Sequence, residues 1–367
     1  MMYILKNKSA IFLVYLWVIC FTTLRAQQTK VYTIGGSYLS GTNVNRATDR
    51  DFGSTYPVGA EIFFHRHRDG SKYWEKLFNY PHTGWSLTWV DHRNKILGST
   101  LALSRYLSYV FWRTNNFEFY VKGSQGIMFA NEIYEPGSNM KERYNNAVSQ
   151  HFNFSEQLGF GLSIRSVKHL SFNISTTITH FSNGAISQPN DGMNLWMLQL
   201  AVGYITGDGI TSYDKQPEKP LDNKRVRFNV NIAGGTKQLT PENERKYPLL
   251  TFYLYADKKL ARVSALNIGV DVFLNTGVKH DIENSANKGD DFKKVGISAG
   301  HELFIDRVGL LTQVGYHIYS PYPSISSFYQ KAGFKYYISD KLFATFTLRT
   351  FYLQISDEIS WGIGWRL

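Results

Sequence analysis

The feature that most constrains this chain is a period of two, carried through segments of ten or more residues. At the C-terminal end Ile359, Trp361, Ile363, Trp365 and Leu367 alternate with Ser360, Gly362, Gly364 and Arg366. Val226, Phe228, Val230 and Ile232 alternate with Arg227, Asn229 and Asn231. Leu266, Ile268, Val270, Val272 and Leu274 alternate with Asn267, Gly269, Asp271, Phe273 and Asn275. Successive side chains of a strand point to opposite faces, so each segment reads as a strand with one apolar face. Such lengths exceed the soluble mode of about 5–6 residues and suit a tilted bilayer crossing of about 9–11. In a membrane barrel the apolar face meets lipid and the polar face lines the interior.

Composition supports that choice. Of 367 residues 16% are aromatic and 19% charged, the latter below the roughly 25% usual for soluble domains. The chain opens with Lys6 and Lys8, an apolar run from Ala10 to Phe21, and a small residue at Ala26. This is the pattern of a secretory signal peptide, residues 1–26; a twelve-residue run is too short for a membrane helix of about 20. The lone cysteine, Cys20, falls inside it, so thiol nucleophiles, disulfides and cysteine metal sites are excluded from the mature chain. The net charge of +11 becomes +8 without Lys6, Lys8 and Arg25, and the remaining basic residues are dispersed. No basic tract of the kind expected for nucleic acid is present.

Sixteen strand segments can be marked, from Lys30–Ser40 to Glu358–Leu367, with fourteen as the alternative because the first three are weakest. The expected fold is therefore all-β: a transmembrane antiparallel β-barrel of about 14–16 strands over residues 27–367, in the bacterial outer membrane. With the N-terminus in the periplasm, long polar connections such as Asn131–Gln150 and Gly277–Asp291 fall outside, and short ones such as Val167-Lys168 and Ser339-Asp340 fall inside. His65–Gly84 and Thr206–Lys224 break that rule: both are long and both fall on the periplasmic side.

The strand His169–Ser182 carries the chemistry. Its odd positions, Ser171 to Thr179, are polar, and its even positions run Leu170, Phe172, Ile174, Thr176, Ile178, His180, Ser182. His180 and Ser182 thus share the outward face, with Asn194 on the matching face of the next strand. A climb of 12 residues from Lys168 to His180 is roughly 30 Å at 3.3 Å per residue and a 40° tilt, against an apolar band about 25 Å tall. The pair is therefore expected at the outer edge of the bilayer, at the depth of lipid esters. If Ser182 lies near Asn194 across the strand pair, His180 is its diagonal neighbour. A serine hydroxyl needs a base, His180, and the base needs an orienting group, Asn194. A carboxylate facing lipid would be costly. Asn183 and Gly184 are candidate oxyanion donors. His169-Leu-Ser171 has the same spacing on the opposite face and at the opposite end, with no Asn after it, which shows how little the spacing alone says.

His180-Phe-Ser182-Asn183-Gly184, followed by Gln188-Pro189-Asn190-Asp191-Gly192, resembles the lipid A 3-O-deacylase family, whose relatives are called acyloxyacyl hydrolases. The resemblance implies a barrel with His180 as base, Ser182 as nucleophile and Asn183 tied to the oxyanion hole. The family's acidic residue fourteen positions after the His is Asn194 here. The same residues are similar to outer-membrane phospholipase A, which has Asn at that position. That family also uses calcium, with an Arg and a Ser where this chain has Ala185 and Asn190, and the Gln188–Gly192 loop favours the deacylase. The resemblance implies an ester hydrolase acting on lipid A of lipopolysaccharide or another membrane lipid, without a cofactor. Phospholipase action and a non-catalytic porin are the alternatives, and a homodimer is left open.

His65-Arg-His67 places two imidazoles on one face, but no partnering acid is visible in the sequence, so no metal is assigned. Glu242, Glu244, Asp290 and Asp291 read as solvated loop charges.

Overall fold

The computed structural model describes residues 30–44, 55–135, 145–207, 213, 225–286, 288–322 and 324–367. The expectation for residues 1–26 lies outside them. The first eight strands are β1 (Tyr32–Asn43), β2 (Val58–His67), β3 (His82–Asp91), β4 (Ser99–Arg113), β5 (Phe117–Ala130), β6 (Phe152–Val167), β7 (Leu170–Ser182) and β8 (Met193–Ile205). The second eight are β9 (Val226–Thr240), β10 (Asn243–Ala261), β11 (Ser264–Asn275), β12 (Lys293–Ile305), β13 (Val308–Tyr319), β14 (Phe328–Tyr337), β15 (Leu342–Phe351) and β16 (Ile355–Arg366). Among the described residues two short helices, α1 (Tyr73–Leu77) and α2 (Thr276–Glu283), lie in connections.

All sixteen expected strands are present, but they close as two barrels of eight. β1 pairs with β8, Thr33 opposite Ile205 and Asn43 opposite Leu195. β9 pairs with β16, Asn229 opposite Arg366 and Gly234 opposite Trp361. The single barrel expected over residues 27–367 is thereby corrected to two, and the long Thr206–Lys224 connection is the link between them rather than a hairpin loop. The other rule-breaking connection contains α1, whose Glu75 is fully buried and accepts from Arg68 and the Gly70 N–H. Glu244, read from the sequence as a loop charge, lies instead in β10, where β9 and β10 extend their pairing to Thr240 and Asn243.

An eight-stranded barrel has room inside only for side chains, and both interiors are filled. That removes the basis of the porin alternative, which relied on sixteen strands around one channel. We call the end of the first barrel that carries the turn before β7 its lower end, and the end after β7 its upper end. At the upper end Leu39, Leu97, Met128, Val148, Phe181 and Met193 form an apolar plug. Below it the interior turns polar, with Gln199 donating to Glu61 at 2.7 Å and to Ser37 at 2.7 Å. The second barrel is filled by aromatics and ion pairs. Lys331 meets Asp271 at 2.6 Å, Lys335 meets Glu302 at 2.7 Å and Arg349 meets Glu358 at 2.9 Å. Tyr329 and Tyr337 donate to Asp271 and Glu302, each at 2.6 Å.

The outward faces carry the apolar side chains that the period of two assigned to them, among them Ile174, Ile178, Trp196, Leu198, Ile363 and Trp365. The barrels stand side by side and touch at both ends. Lys72 meets Asp306 at 2.6 Å at the lower end. At the upper end Phe154 packs against Phe346 and Trp361, with ring centroids 5.1 and 6.4 Å apart.

The buried ion pairs make the second barrel sensitive to loss of one partner. Lys335→Met leaves Glu302 buried without its cation and should cost about 3–5 kcal/mol. The readout is the urea midpoint of the folded barrel in detergent; a loss below about 1 kcal/mol would show that the pair is not desolvated as described.

Candidate active site on the outer wall of the first barrel

β7 ends at Ser182 and β8 begins at Met193, so the loop between them sits over the upper end of this strand pair. The register puts His180 directly opposite Asn194, closer than the diagonal placement expected from the sequence. His180 Nδ1 lies 2.8 Å from Asn194 Oδ1. An amide oxygen can only accept, so Nδ1 carries the proton and donates, and Nε2 is left as the basic nitrogen. Ser182 follows two residues later on the same outward face, 7% exposed.

The loop is built to hold this arrangement. The Asn183 side chain is fully buried; its Oδ1 accepts from the Ser187 N–H at 3.2 Å and its Nδ2 donates to Ser149 at 3.4 Å. The Asn183 N–H donates to Asn190 Oδ1 at 2.9 Å. The Asn183 N–H is therefore engaged inside the loop, and its side chain ties the loop to Ser149 of the β5–β6 connection. Gly184 takes φ +63°, and a Cβ there would overlap Ile359 of β16. Gln238 of β9 donates its N–H to Ala185 O at 3.3 Å and accepts from the Gln188 N–H at 3.2 Å. The second barrel thus forms one side of the loop that follows the serine. Gly192 takes φ +75°, and a Cβ there would lie 2.7 Å from His180 Cε1, so the imidazole occupies the space of the missing side chain.

Sequence reasoning missed a row of polar residues that runs sideways from His180 around the wall. Glu156 of β6 lies opposite His180, Gln125 of β5 opposite Glu156, and Arg105 of β4 opposite Gln125. Arg105 stacks over Trp85 of β3 at 5.3 Å. Each belongs to the apolar parity of its strand: Arg105 lies between Leu103 and Leu107, and Glu156 between Phe154 and Leu158. A charge on that parity was the available signal.

Two family profiles match the chain, one per barrel. Lipid A 3-O-deacylase (PagL) matches residues 58–203 and the acyloxyacyl hydrolase C-terminal domain matches residues 226–367. Each barrel is thus similar to one part of the lipid A 3-O-deacylase and acyloxyacyl hydrolase family. The family match and the closed, outwardly apolar barrels place the chain in the outer membrane. Among solved structures, the outer membrane enzyme PagL matches at 16% identity, covering 46% of this chain and 97% of its own, with a TM-score of 0.32. Neisserial surface protein A matches at 9% identity, 47% and 95% coverage and a TM-score of 0.32. A porin of Rh. blastica matches at 9% identity, 92% and 99% coverage and a TM-score of 0.18. No curated protein sequence matches the chain.

The close approach of Gly192 to the imidazole gives a test of the site's geometry. Gly192→Ala should push His180 off Asn194 and lower ester hydrolysis by about 10²-fold, with the barrel still migrating as a folded species in a heat-modifiability gel. Full activity in the folded variant would mean that His180 does not work from this position.

Proposed function

We propose that the chain is an outer-membrane serine esterase that removes a fatty acyl chain from lipid A, with Ser182 as nucleophile, His180 as base and Asn194 as the group that orients the base. The observation that carries this reading is the 2.8 Å contact between His180 Nδ1 and Asn194 Oδ1 on the wall that also presents Ser182. It fixes the tautomer a base needs, and the family supplies the substrate class. Lipid approaches from the side, its ester at the level of Ser182. His180 Nε2 takes the serine proton as the hydroxyl oxygen attacks the ester carbonyl, then returns it to the leaving alcohol. The acyl-enzyme is released by water activated in the same way. The Asn183 N–H is taken by Asn190 and its side chain by Ser149 and Ser187, so the Gly184 N–H is the oxyanion donor this reading favours.

Asn194 holds the ring but brings no charge to offset the imidazolium that forms. In this reading Glu156 supplies it from the opposite side. Directly opposed residues on neighbouring strands have Cβ atoms about 4.5–5.5 Å apart, and a carboxylate at that range stabilises a cation. Arg105 lies farther along the same row and offers the phosphate-bearing headgroup a cation on the outer wall. A charge placed there is costly unless it is used.

Mass spectrometry of lipid A from cells expressing the chain should show loss of one acyl chain, absent with Ser182→Ala. An unchanged profile in both removes lipid A as the substrate, and phospholipid is then assayed with and without calcium. Glu156→Gln should lower kcat by about tenfold or more with KM little changed, and adding Asn194→Asp to it should restore activity. No restoration by the aspartate would mean that Glu156 acts otherwise than by its charge.

A further inference from the structure

The lower end of the first barrel holds a second cluster, remote from Ser182. His65 and His67 project inward from β2, and His82 lies directly across the β2–β3 pair from His67. One nitrogen from each of the three rings falls within 4.8 Å of the others. Two of the rings are oriented by their remaining nitrogen. His65 Nδ1 lies 2.9 Å from the Tyr106 hydroxyl, and His67 Nε2 lies 2.7 Å from Thr33 Oγ1. That is how metal-bound imidazoles are held, one nitrogen on the ion and the other N–H on a second group. In such a site His65 Nε2 and His67 Nδ1 would be the ligand atoms.

The third imidazole and an acid supply the decisive detail. His82 is buried, and its Nε2 makes no hydrogen bond. Glu118 of β5 is 1% exposed. Its Oε1 accepts from Arg113 at 2.7 Å and from Arg165 at 2.6 Å, while its Oε2 makes no hydrogen bond. These two unpartnered atoms are 3.5 Å apart. That is too long for a good hydrogen bond. It matches the edge of a tetrahedron, about 3.3–3.6 Å, set by metal bonds of about 2.0–2.2 Å. The acid absent from the linear neighbourhood of His65-Arg-His67 is thus brought in by β5. A cavity of about 50 Å³ adjoins the group, lined by the three histidines, Glu118 and Tyr106. One water needs only about 10–15 Å³, so an ion fits.

We propose that His65, His67, His82 and Glu118 form a binding site for a divalent transition-metal ion of the zinc class. Three neutral imidazoles and one carboxylate oxygen suit such an ion, and lack the oxygen cage that calcium or magnesium needs. The neighbouring cations are already matched: Arg113 and Arg165 hold the other oxygen of Glu118, and Lys122 faces Glu61 at 3.5 Å. The three imidazoles of β2 and β3 form the ligand group, and Glu118 of β5, 3.5 Å from His82 Nε2, is the acid beside it, so an ion held there ties these strands together where the long β2–β3 connection leaves them.

The test uses the full-length chain folded in detergent, stripped with EDTA and titrated with Co²⁺. One Co²⁺ per chain is expected, with the intense visible absorption of a four-coordinate ion, bleached by Zn²⁺. His82→Ala should weaken this by more than about 10²-fold, and Thr33→Val, which removes only the partner of His67, by about tenfold. Thr33→Val keeps all four ligands and decides the matter if His82→Ala fails to assemble. Absence of Co²⁺ binding at micromolar concentration, a weak six-coordinate spectrum, or unaltered binding in folded variants would overturn the proposal.

Discussion

Everything in this protein depends on closure after eight strands. Inside a bilayer the backbone N–H and C=O groups have no water to pair with, so a spanning sheet must satisfy them all by meeting itself. β8 meets β1 and β16 meets β9, and the edge is abolished twice. A ring of eight has an interior only as wide as the side chains that fill it. The first consequence is that the inward residues must be large or paired. The second is that a lipid-sized substrate has no way through the middle, so any chemistry on lipid has to sit on the outside of the wall.

The two interiors meet the filling requirement differently. The second barrel uses ion pairs capped by tyrosines, Lys331 and Tyr329 on Asp271, Lys335 and Tyr337 on Glu302. Each acid receives more than one donor, which is what buried carboxylates require. The first barrel divides its interior by height. An apolar plug lies behind the wall that carries the candidate site, with Phe181 inward between the outward His180 and Ser182. Imidazoles and Glu118 lie at the other end. The plug gives the β7–β8 pair a rigid backing, so the 2.8 Å contact to Asn194 is held by packing rather than by the loop alone.

The strands were legible because their signal is local. Each of the sixteen segments marked by alternation is a strand in the structure. Closure was not legible, because alternation is the same in one ring of sixteen and in two of eight. The size of the inward residues could have told them apart: Phe273, Tyr253 and Tyr329 on the polar parity suit a filled core and not the wall of an aqueous channel. His180, Ser182 and Asn194 were legible because the motif is compact and two of its members share one strand. Glu156, Arg105 and Glu118 were not, since they come from β4, β5 and β6 and join their partners only through register. The same holds for His82, fifteen positions from His67 and yet its direct partner across the strand pair.

The second barrel carries no copy of the His-x-Ser-Asn sequence, yet it is not a bystander to it. A serine on a curved outer wall would ordinarily be open to lipid from every side. Here Phe346 and Trp361 meet Phe154, which lies opposite Ser182, and Ile359 fills the space beside Gly184. Gln238 grips the loop at Ala185 and Gln188. One flank of the serine is thus closed by a surface that is itself apolar and outward-facing, and the remaining approach runs along β4 to β6, past Arg105 and Glu156. Doubling the barrel converts an exposed position on a cylinder into a seam between two cylinders. In a bilayer a seam of that kind can hold an acyl chain against two walls, where a single eight-stranded barrel offers only one.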